Sequence, residues 1–293
     1  MVATRRQFGL GLGAVLAAGT RARAQAGPWP ELGRRFAAIE AQCGGRLGVG
    51  VLDTQSGRTA GHRGEERFPM CSTHKALSAA AVLARVDGGV DRLDRRVRFG
   101  AEDVVPYSPG TKAHAGGEGM TLAAICEAAV TLSDNTAANL LFAEIGGPAG
   151  LTAFLRDLGD AVTRSDRTEL ALNEALPGDP RDTTTPLAMA ALLDRFVLGE
   201  ALSPASRGQL AAWLVACKTG DARLRAGVPP GWRVGDKTGT GERGTANDVG
   251  VLWPPGRGPV VVAAFITGSA APPDAQSAAI ADVARAVVLA LGA

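Results

Sequence analysis

The segment that most constrains the fold is Pro259–Thr267, PVVVAAFIT, a run with no charged residue and rich in β-branched side chains. Such a run reads as a strand buried on both faces, because a half-exposed strand would alternate apolar with polar residues. It needs neighbours. Strand character is also present at Trp232–Gly239 and Asp248–Trp253, and again near the other end of the chain at Leu47–Asp53, followed by a turn at Ser56-Gly57 and a second short strand. Between these groups, from Thr73 to about Leu214, the pattern is helical. Ala- and Leu-rich segments at Ala76–Val86, Leu122–Leu132, Thr136–Ile145 and Pro186–Val197 are separated by Gly-Gly, Pro-Gly and Ser-Pro breaks. Further helices are expected at Glu31–Gln42 and Ala275–Leu291. Strands from both ends around a helical middle predict an α/β fold: an antiparallel sheet flanked by terminal helices, with an all-α lobe inserted. The expected divisions are 27–68 with 216–293 for the α/β lobe and 69–215 for the α lobe. A length of 293 residues fits about two lobes of ~150 residues.

The first 26 residues are expected to be a targeting segment. Arg5-Arg6 precede an apolar stretch from Gly9 to about Gly19, and Ala24 and Ala26 fit an A-x-A cleavage site. The paired arginines in Thr-Arg-Arg-x-Phe suggest twin-arginine export. The apolar stretch falls short of the ~20 residues of a membrane span. The mature chain is therefore expected to start near Gly27, without a stable membrane anchor, in the periplasm or secreted.

Composition removes several function classes. With 31 basic and 29 acidic side chains the formal charge is +2, which gives no basic excess for nucleic-acid binding. The three histidines, His62, His74 and His114, are scattered and make no zinc-ligand pattern, so no metal or other cofactor is expected. Four cysteines (Cys43, Cys71, Cys126 and Cys217) lack a C-x-x-C pair; they read equally as small buried hydrophobes or as partners in a bridge. No G-x-S-x-G and no Tyr-x-Asn occur, which disfavours a serine esterase of the α/β-hydrolase type and a class C-type site.

Three short motifs carry chemistry. Ser72-Thr73-His74-Lys75 opens a helical run, so serine and lysine share one helix face and the ammonium can reach the hydroxyl. The positive end of the helix dipole favours an oxyanion there. Ser133-Asp134-Asn135 lies between two helical segments. Lys237-Thr238-Gly239 lies on a strand, with Thr240-Gly241 after it. A second K-T-G, Lys218-Thr219-Gly220, follows the helical run Gly208–Val215 and has no strand pattern beside it, so Lys237 is the chosen copy.

The trio S-x-x-K, S-D-N and K-T-G resembles the signature of class A serine β-lactamases and penicillin-binding proteins. A fourth element, Arg167-Thr168-Glu169-Leu170-Ala171-Leu172-Asn173, resembles the class A pattern R-x-E-x-x-L-N, carried on an omega loop expected at about 164–182. That element separates the class A reading from a D-Ala-D-Ala carboxypeptidase, which would lack the Glu169/Asn173 pair. A penicilloylated sensor domain is the alternative from a non-enzyme class.

The resemblance covers essentially the whole mature chain and is nearest the carbapenemase-like and extended-spectrum branches, because Cys71 precedes Ser72. That branch's second bridging cysteine falls where this chain has Gly241, so the bridge cannot form. The other family bridge would join Cys126 to the position of Ala79.

The resemblance implies a β-lactam hydrolase with Ser72 as nucleophile. Lys75 and Glu169 are its alternative acylation bases, and Glu169 with Asn173 activates the deacylating water. Backbone N–H groups of Ser72 and Thr240 would form the oxyanion hole. Ser133 would relay the proton to the leaving nitrogen, with Lys237 orienting it. Thr238, Thr240 and an arginine would receive the substrate carboxylate, with Gly239 among the substrate-binding residues. Ala246 stands where many relatives place that arginine; Arg223 matches an alternative source by spacing, with Arg225 and Arg233 nearby. Asn135 would hold the acylamide side chain, Tyr107 would be the aromatic gatepost, and Arg167 and Asp182 would pair across the loop neck. The partner class is small-molecule β-lactams, and a monomer is expected.

Overall fold

The computed structural model describes residues 29–292. The targeting segment expected at residues 1–26 lies outside the described residues. Helix α1 (Trp29–Cys43) leads into strands β1 (Arg46–Asp53) and β2 (Arg58–His62). The middle of the chain contributes α2 (His74–Asp87), α3 (Leu122–Thr131), α4 (Asn135–Glu144), α5 (Gly147–Asp157), α6 (Pro186–Val197) and α7 (Pro204–Val215). Two-residue strands pair there as well: β3 (Phe68–Pro69) with β6 (Thr183–Thr184), and β4 (Arg96–Val97) with β5 (Met120–Thr121). The chain returns as β7 (Arg233–Gly241), β8 (Thr245–Trp253) and β9 (Val260–Thr267), then ends in α8 (Pro273–Leu291).

The sheet order is β2-β1-β9-β8-β7, with every pair antiparallel. β9, the last strand in sequence, is therefore central, as its uncharged run requires. Its alternate side chains serve two cores. Val261, Ala263 and Phe265 join the cluster beneath α2 and α6, whereas Val260, Val262, Ala264 and Ile266 join α1 and α8 on the other face. Burying each large aliphatic or Phe side chain in these layers contributes roughly 1.5–3 kcal/mol. In β1 the alternating glycines have a packing reason. A Cβ on Gly50 would stand 2.5 Å from the Pro186 carbonyl oxygen, and one on Gly48 would stand 2.4 Å from the Phe68 ring. The glycines let the sheet accept α6 and β3 at close range.

Two features were not anticipated from sequence. α5 is a separate helix, begun by Gly146 and Gly147 at positive φ with Pro148 in its first turn. α6, read as one more helix of the inserted lobe, also packs on β1, β8 and β9, covering the sheet face opposite α1 and α8. All four cysteines are free and buried. Gly241 faces Cys71, since a Cβ there would lie 2.6 Å from the Cys71 sulfur, but glycine supplies no thiol. Among the described residues no single helix is long and apolar enough to cross a membrane.

Candidate active site

A cleft of about 380 Å³ lies where α2, the α3–α4 junction, the omega loop and β7 meet, lined by Ser72, Ser133, Asn173, Arg223, Thr238 and Thr240 among others. A larger cavity of about 560 Å³ lies under the omega loop between Arg46, Pro177 and Arg243; it contains none of the motif residues. Chemistry therefore favours the smaller one.

Ser72 sits in a 3₁₀ turn, Cys71–Thr73, that runs directly into α2. Cys71 before it has φ +46°, an uncommon conformation for a side-chain-bearing residue, and the turn presents Ser72 at the cleft. Lys75, one turn on, is wholly buried. A buried ammonium is costly unless its protons find acceptors, and Lys75 Nζ has them: the Ser133 carbonyl at 2.8 Å, Asn135 Oδ1 at 2.7 Å and Glu169 Oε1 at 3.0 Å. Ser133 Oγ is farther, at 3.5 Å. The helix-face argument anticipated a Lys75–Ser72 hydrogen bond; among the described residues the three short contacts of Nζ go elsewhere. Burial pulls the Lys75 pKa down, and the Glu169 charge opposes this.

Ser133 (φ +58°) is held between α3 and α4 by Asp134. The Asp134 carboxylate caps α4 through the Ala137 N–H and accepts from Gly110 N, Thr111 N and Thr111 Oγ1, all at 2.8–3.0 Å. Asp134 is thus the buried tie that sets the loop, and Ser133 and Asn135 on either side of it face the cleft. Lys237 Nζ, wholly buried on β7, donates to Ser133 Oγ at 3.0 Å and to the Thr238 carbonyl at 2.9 Å. Burial, with the nearby Lys75 charge, brings the Lys237 pKa down to about 8 despite the thiol and carboxylates around it. Gly239 allows β7 to approach the nucleophile turn, because a Cβ there would stand 2.7 Å from the Met70 carbonyl oxygen.

The omega loop brings in the carboxylate. Arg167 Nε donates to Asp182 Oδ2 at 2.6 Å, and Asp182 Oδ1 accepts the N–H groups of Asp166 and Arg167, which closes the neck. Asn139 on α4 holds the Glu169 main chain at both N–H and carbonyl. Glu169 Oε2 accepts from Asn173 Nδ2 at 2.6 Å, while Oε1 faces both Lys75 and His74. Burial pushes the Glu169 pKa up, but the His74 hydrogen bond and the Lys75 charge outweigh it and hold it at about 2.

The three arginines part company. Arg223 lines the cleft; its Nη1 donates to the Gly239 and Asn247 carbonyls and its Nη2 to Thr240 Oγ1 at 2.9 Å. Arg225 instead pairs with Asp236 at 2.5 Å, and Arg233 lies over the Trp253 ring. Tyr107 lies at the cleft edge, 62% exposed, and its carbonyl accepts the Asn135 N–H. Sequence reasoning missed three contributors. Thr219, set aside with Lys218, lines the cleft with its Oγ1 2.5 Å from Thr238 Oγ1. His74 and Asn139 both touch Glu169; Asn139 lies one helical turn after Asn135, a spacing that could have signalled its part, whereas His74 is adjacent to Lys75 and shares no helix face with it.

Known proteins resemble this chain over most of its length. A model of the Beta-lactamase enzyme family matches residues 31–291. Beta-lactamase AST-1 of Nocardia asteroides is 50% identical over 258 residues, spanning 88% of this chain and 83% of that protein. The carbapenem-hydrolyzing β-lactamase KPC of Klebsiella oxytoca is 48% identical over 258 residues, 88% of each. Among solved structures, an ancestral (GNCA) class A β-lactamase superposes with a TM-score of 0.87 at 65% identity, covering 88% of this chain and 99% of its own. The chain belongs to the β-lactamase enzyme family and is a class A β-lactamase, a hydrolase of β-lactams.

Proposed function

We propose that the chain opens β-lactams by acyl transfer to Ser72 and frees the product with a water activated by Glu169. Ser72 Oγ attacks the lactam carbonyl, its proton passing to a base, and the oxyanion meets the backbone N–H groups of Ser72 and Thr240. Lys75 and Glu169 are the two candidate bases for this step. The C–N bond then breaks, and Ser133, oriented by Lys237, hands a proton to the nitrogen. Thr238, Thr240 and Arg223 receive the substrate carboxylate, with Gly239 giving backbone access; Asn135 takes the acylamide arm and Tyr107 flanks the entrance. Water adds to the ester carbon, its proton going to Glu169, and Ser72 departs with a proton regained. Arg167 and Asp182 keep the loop that carries Glu169 closed.

The observation that carries this reading is the surrounding of Glu169. Its carboxylate is buried, held toward the ionised form by its neighbours and bonded to Asn173 Nδ2, while Asn173 Oδ1 is buried with no hydrogen-bond partner among the described residues. A carboxylate beside an unpaired amide acceptor is what a hydrolytic water needs, one group to take its proton and one to orient it. A carboxypeptidase-type site has no use for this pair. Purified mature protein should hydrolyse a chromogenic cephalosporin catalytically and despite chelator. Glu169→Ala should accumulate an acyl adduct visible by intact-protein mass; normal turnover in that variant would remove Glu169 from deacylation. The reading extends to a monomer exported by a twin-arginine-type signal to the periplasm or beyond, acting on small molecules and on neither nucleic acid nor membrane.

A further inference from the structure

Helix α2 delivers a second side chain to the omega-loop carboxylate. His74, immediately before Lys75, is 1% exposed and stacks on Phe142 with ring centroids 4.8 Å apart and planes within 5°. Its two ring nitrogens face different partners. Nδ1 is 3.2 Å from Ser78 Oγ, one helical turn along, and Nε2 is 3.4 Å from Glu169 Oε1 across the cleft wall. A carboxylate can only accept, so a neutral ring bonded to it carries its proton on Nε2, which leaves Nδ1 to accept from the Ser78 hydroxyl. The arrangement is a directed line from Ser78 through His74 to Glu169.

We propose that His74 is a positioning residue for the hydrolytic half of the reaction, donating Nε2–H to Glu169 Oε1, with Ser78 fixing the tautomer that does so. The proposal rests on Glu169 being the deacylating base. Other groups face this carboxylate too: Lys75 from the same helix at 3.0 Å, Asn173 from the loop at 2.6 Å, and the Cys71 thiol close by, while the Asp182 carboxylate acts on the His74 ring. Lys75 shares Oε1 with His74 but also serves Ser133 and Asn135, so its hold on Glu169 is divided. Among the described residues His74 has no second acceptor on Nε2. Burial lowers the His74 pKa, so the ring donates while uncharged and leaves the charge balance of the two buried lysines and Glu169 unaltered.

The consequence lies at acid pH. A donor on Oε1 favours the ionised carboxylate; without it the Glu169 pKa rises, and deacylation fails sooner as pH falls. The test is single-turnover kinetics on a penicillin across the acid range, resolving acylation from deacylation, with melting temperature recorded for each variant. His74→Phe keeps a ring against Phe142 but has no donor; the acid limb of its deacylation should move up by about 1 pH unit. His74→Gln, which restores an N–H, should recover at least half of that shift. Ser78→Ala should move the limb the same way by less. A His74→Phe deacylation profile superimposable on that of the parent overturns the proposal, as does a uniform loss at every pH with a lowered melting temperature, the mark of a packing role. Glu169→Ala run in parallel separates the two readings. If it turns over normally, with no acyl-enzyme accumulating, the reading of Glu169 falls and this one with it; if it traps one while His74→Phe leaves the limb unmoved, only this one falls.

Discussion

The chain contains the same tripeptide twice, Lys218-Thr219-Gly220 and Lys237-Thr238-Gly239, in opposite settings. Lys237 lies on an inner face of the sheet's last strand, is wholly buried, and aims its ammonium at Ser133 Oγ. Lys218 follows the end of α7, is exposed, and makes no side-chain hydrogen bond or ion pair among the described residues; only its N–H is engaged, by the Thr131 carbonyl. A lysine becomes chemically useful when a rigid element desolvates it beside acceptors, and three letters of sequence cannot specify that. Yet the first copy is not idle. Its threonine meets the threonine of the second copy across 2.5 Å, so the two tripeptides contribute adjacent hydroxyls to one cleft.

The sharpest way to break the comparison is Lys237→Ala. It removes a buried positive charge and strands Ser133 Oγ, so kcat/KM should fall by roughly 10²–10³-fold, the scale for losing one preorganised donor. A pH profile sharpens the point. The Lys237 pKa lies near 8, so the group is protonated below that value and loses its charge as pH rises through it. The parent enzyme should therefore show a basic limb in kcat/KM near pH 8. Lys237→Arg, which stays cationic, should flatten that limb whatever it does to the plateau. A limb that persists in Lys237→Arg belongs to another group.

Thr219→Val comes next. It deletes one hydroxyl and leaves Thr238 Oγ1 without that neighbour, a change of about 1 kcal/mol or roughly fivefold. The loss should fall mainly on KM, because the two hydroxyls flank the place assigned to the substrate carboxylate. An effect on kcat alone would move Thr219 from binding to chemistry.

The pair also marks how far sequence reading reaches. β9 was legible because an uncharged, β-branched run of that length has no stable place but a sheet interior, and its centrality in the sheet follows from burial on both faces. Ser72, Ser133, Glu169 and Lys237 were legible as a set because each is embedded in a short pattern, and the fold brings the four patterns to one cleft and its wall. What escaped depends on contacts between distant segments. His74 makes no metal-ligand pattern with the other histidines, and its partner Glu169 is 95 residues away and on a loop. Thr219 was discarded with its lysine because the surrounding pattern is not a strand, yet the turn carries it back against β7. α6 has an ordinary amphipathic pattern, and nothing local says that it meets the sheet at Gly50 of β1. Packing partners are chosen by three-dimensional fit, which single-segment periodicity does not encode.

Lys218→Ala is the smallest expected effect and the strictest control. The side chain is exposed and unpaired among the described residues, so its removal should change stability by no more than about 0.5 kcal/mol. The one bond that anchors the residue, from its N–H to Thr131, belongs to the main chain and survives the substitution. Thr219 then keeps its place beside Thr238, and kcat/KM should stay within about twofold of the parent, since a surface charge near a cleft is screened over about 8–10 Å in physiological salt. Steady-state rates at low and high salt check this. A salt-dependent change in kcat/KM alone is the signature of a weak long-range charge. A salt-independent loss approaching that of Lys237→Ala would reverse the assignment of the two copies, because only a lysine in contact with the reacting groups could cause it.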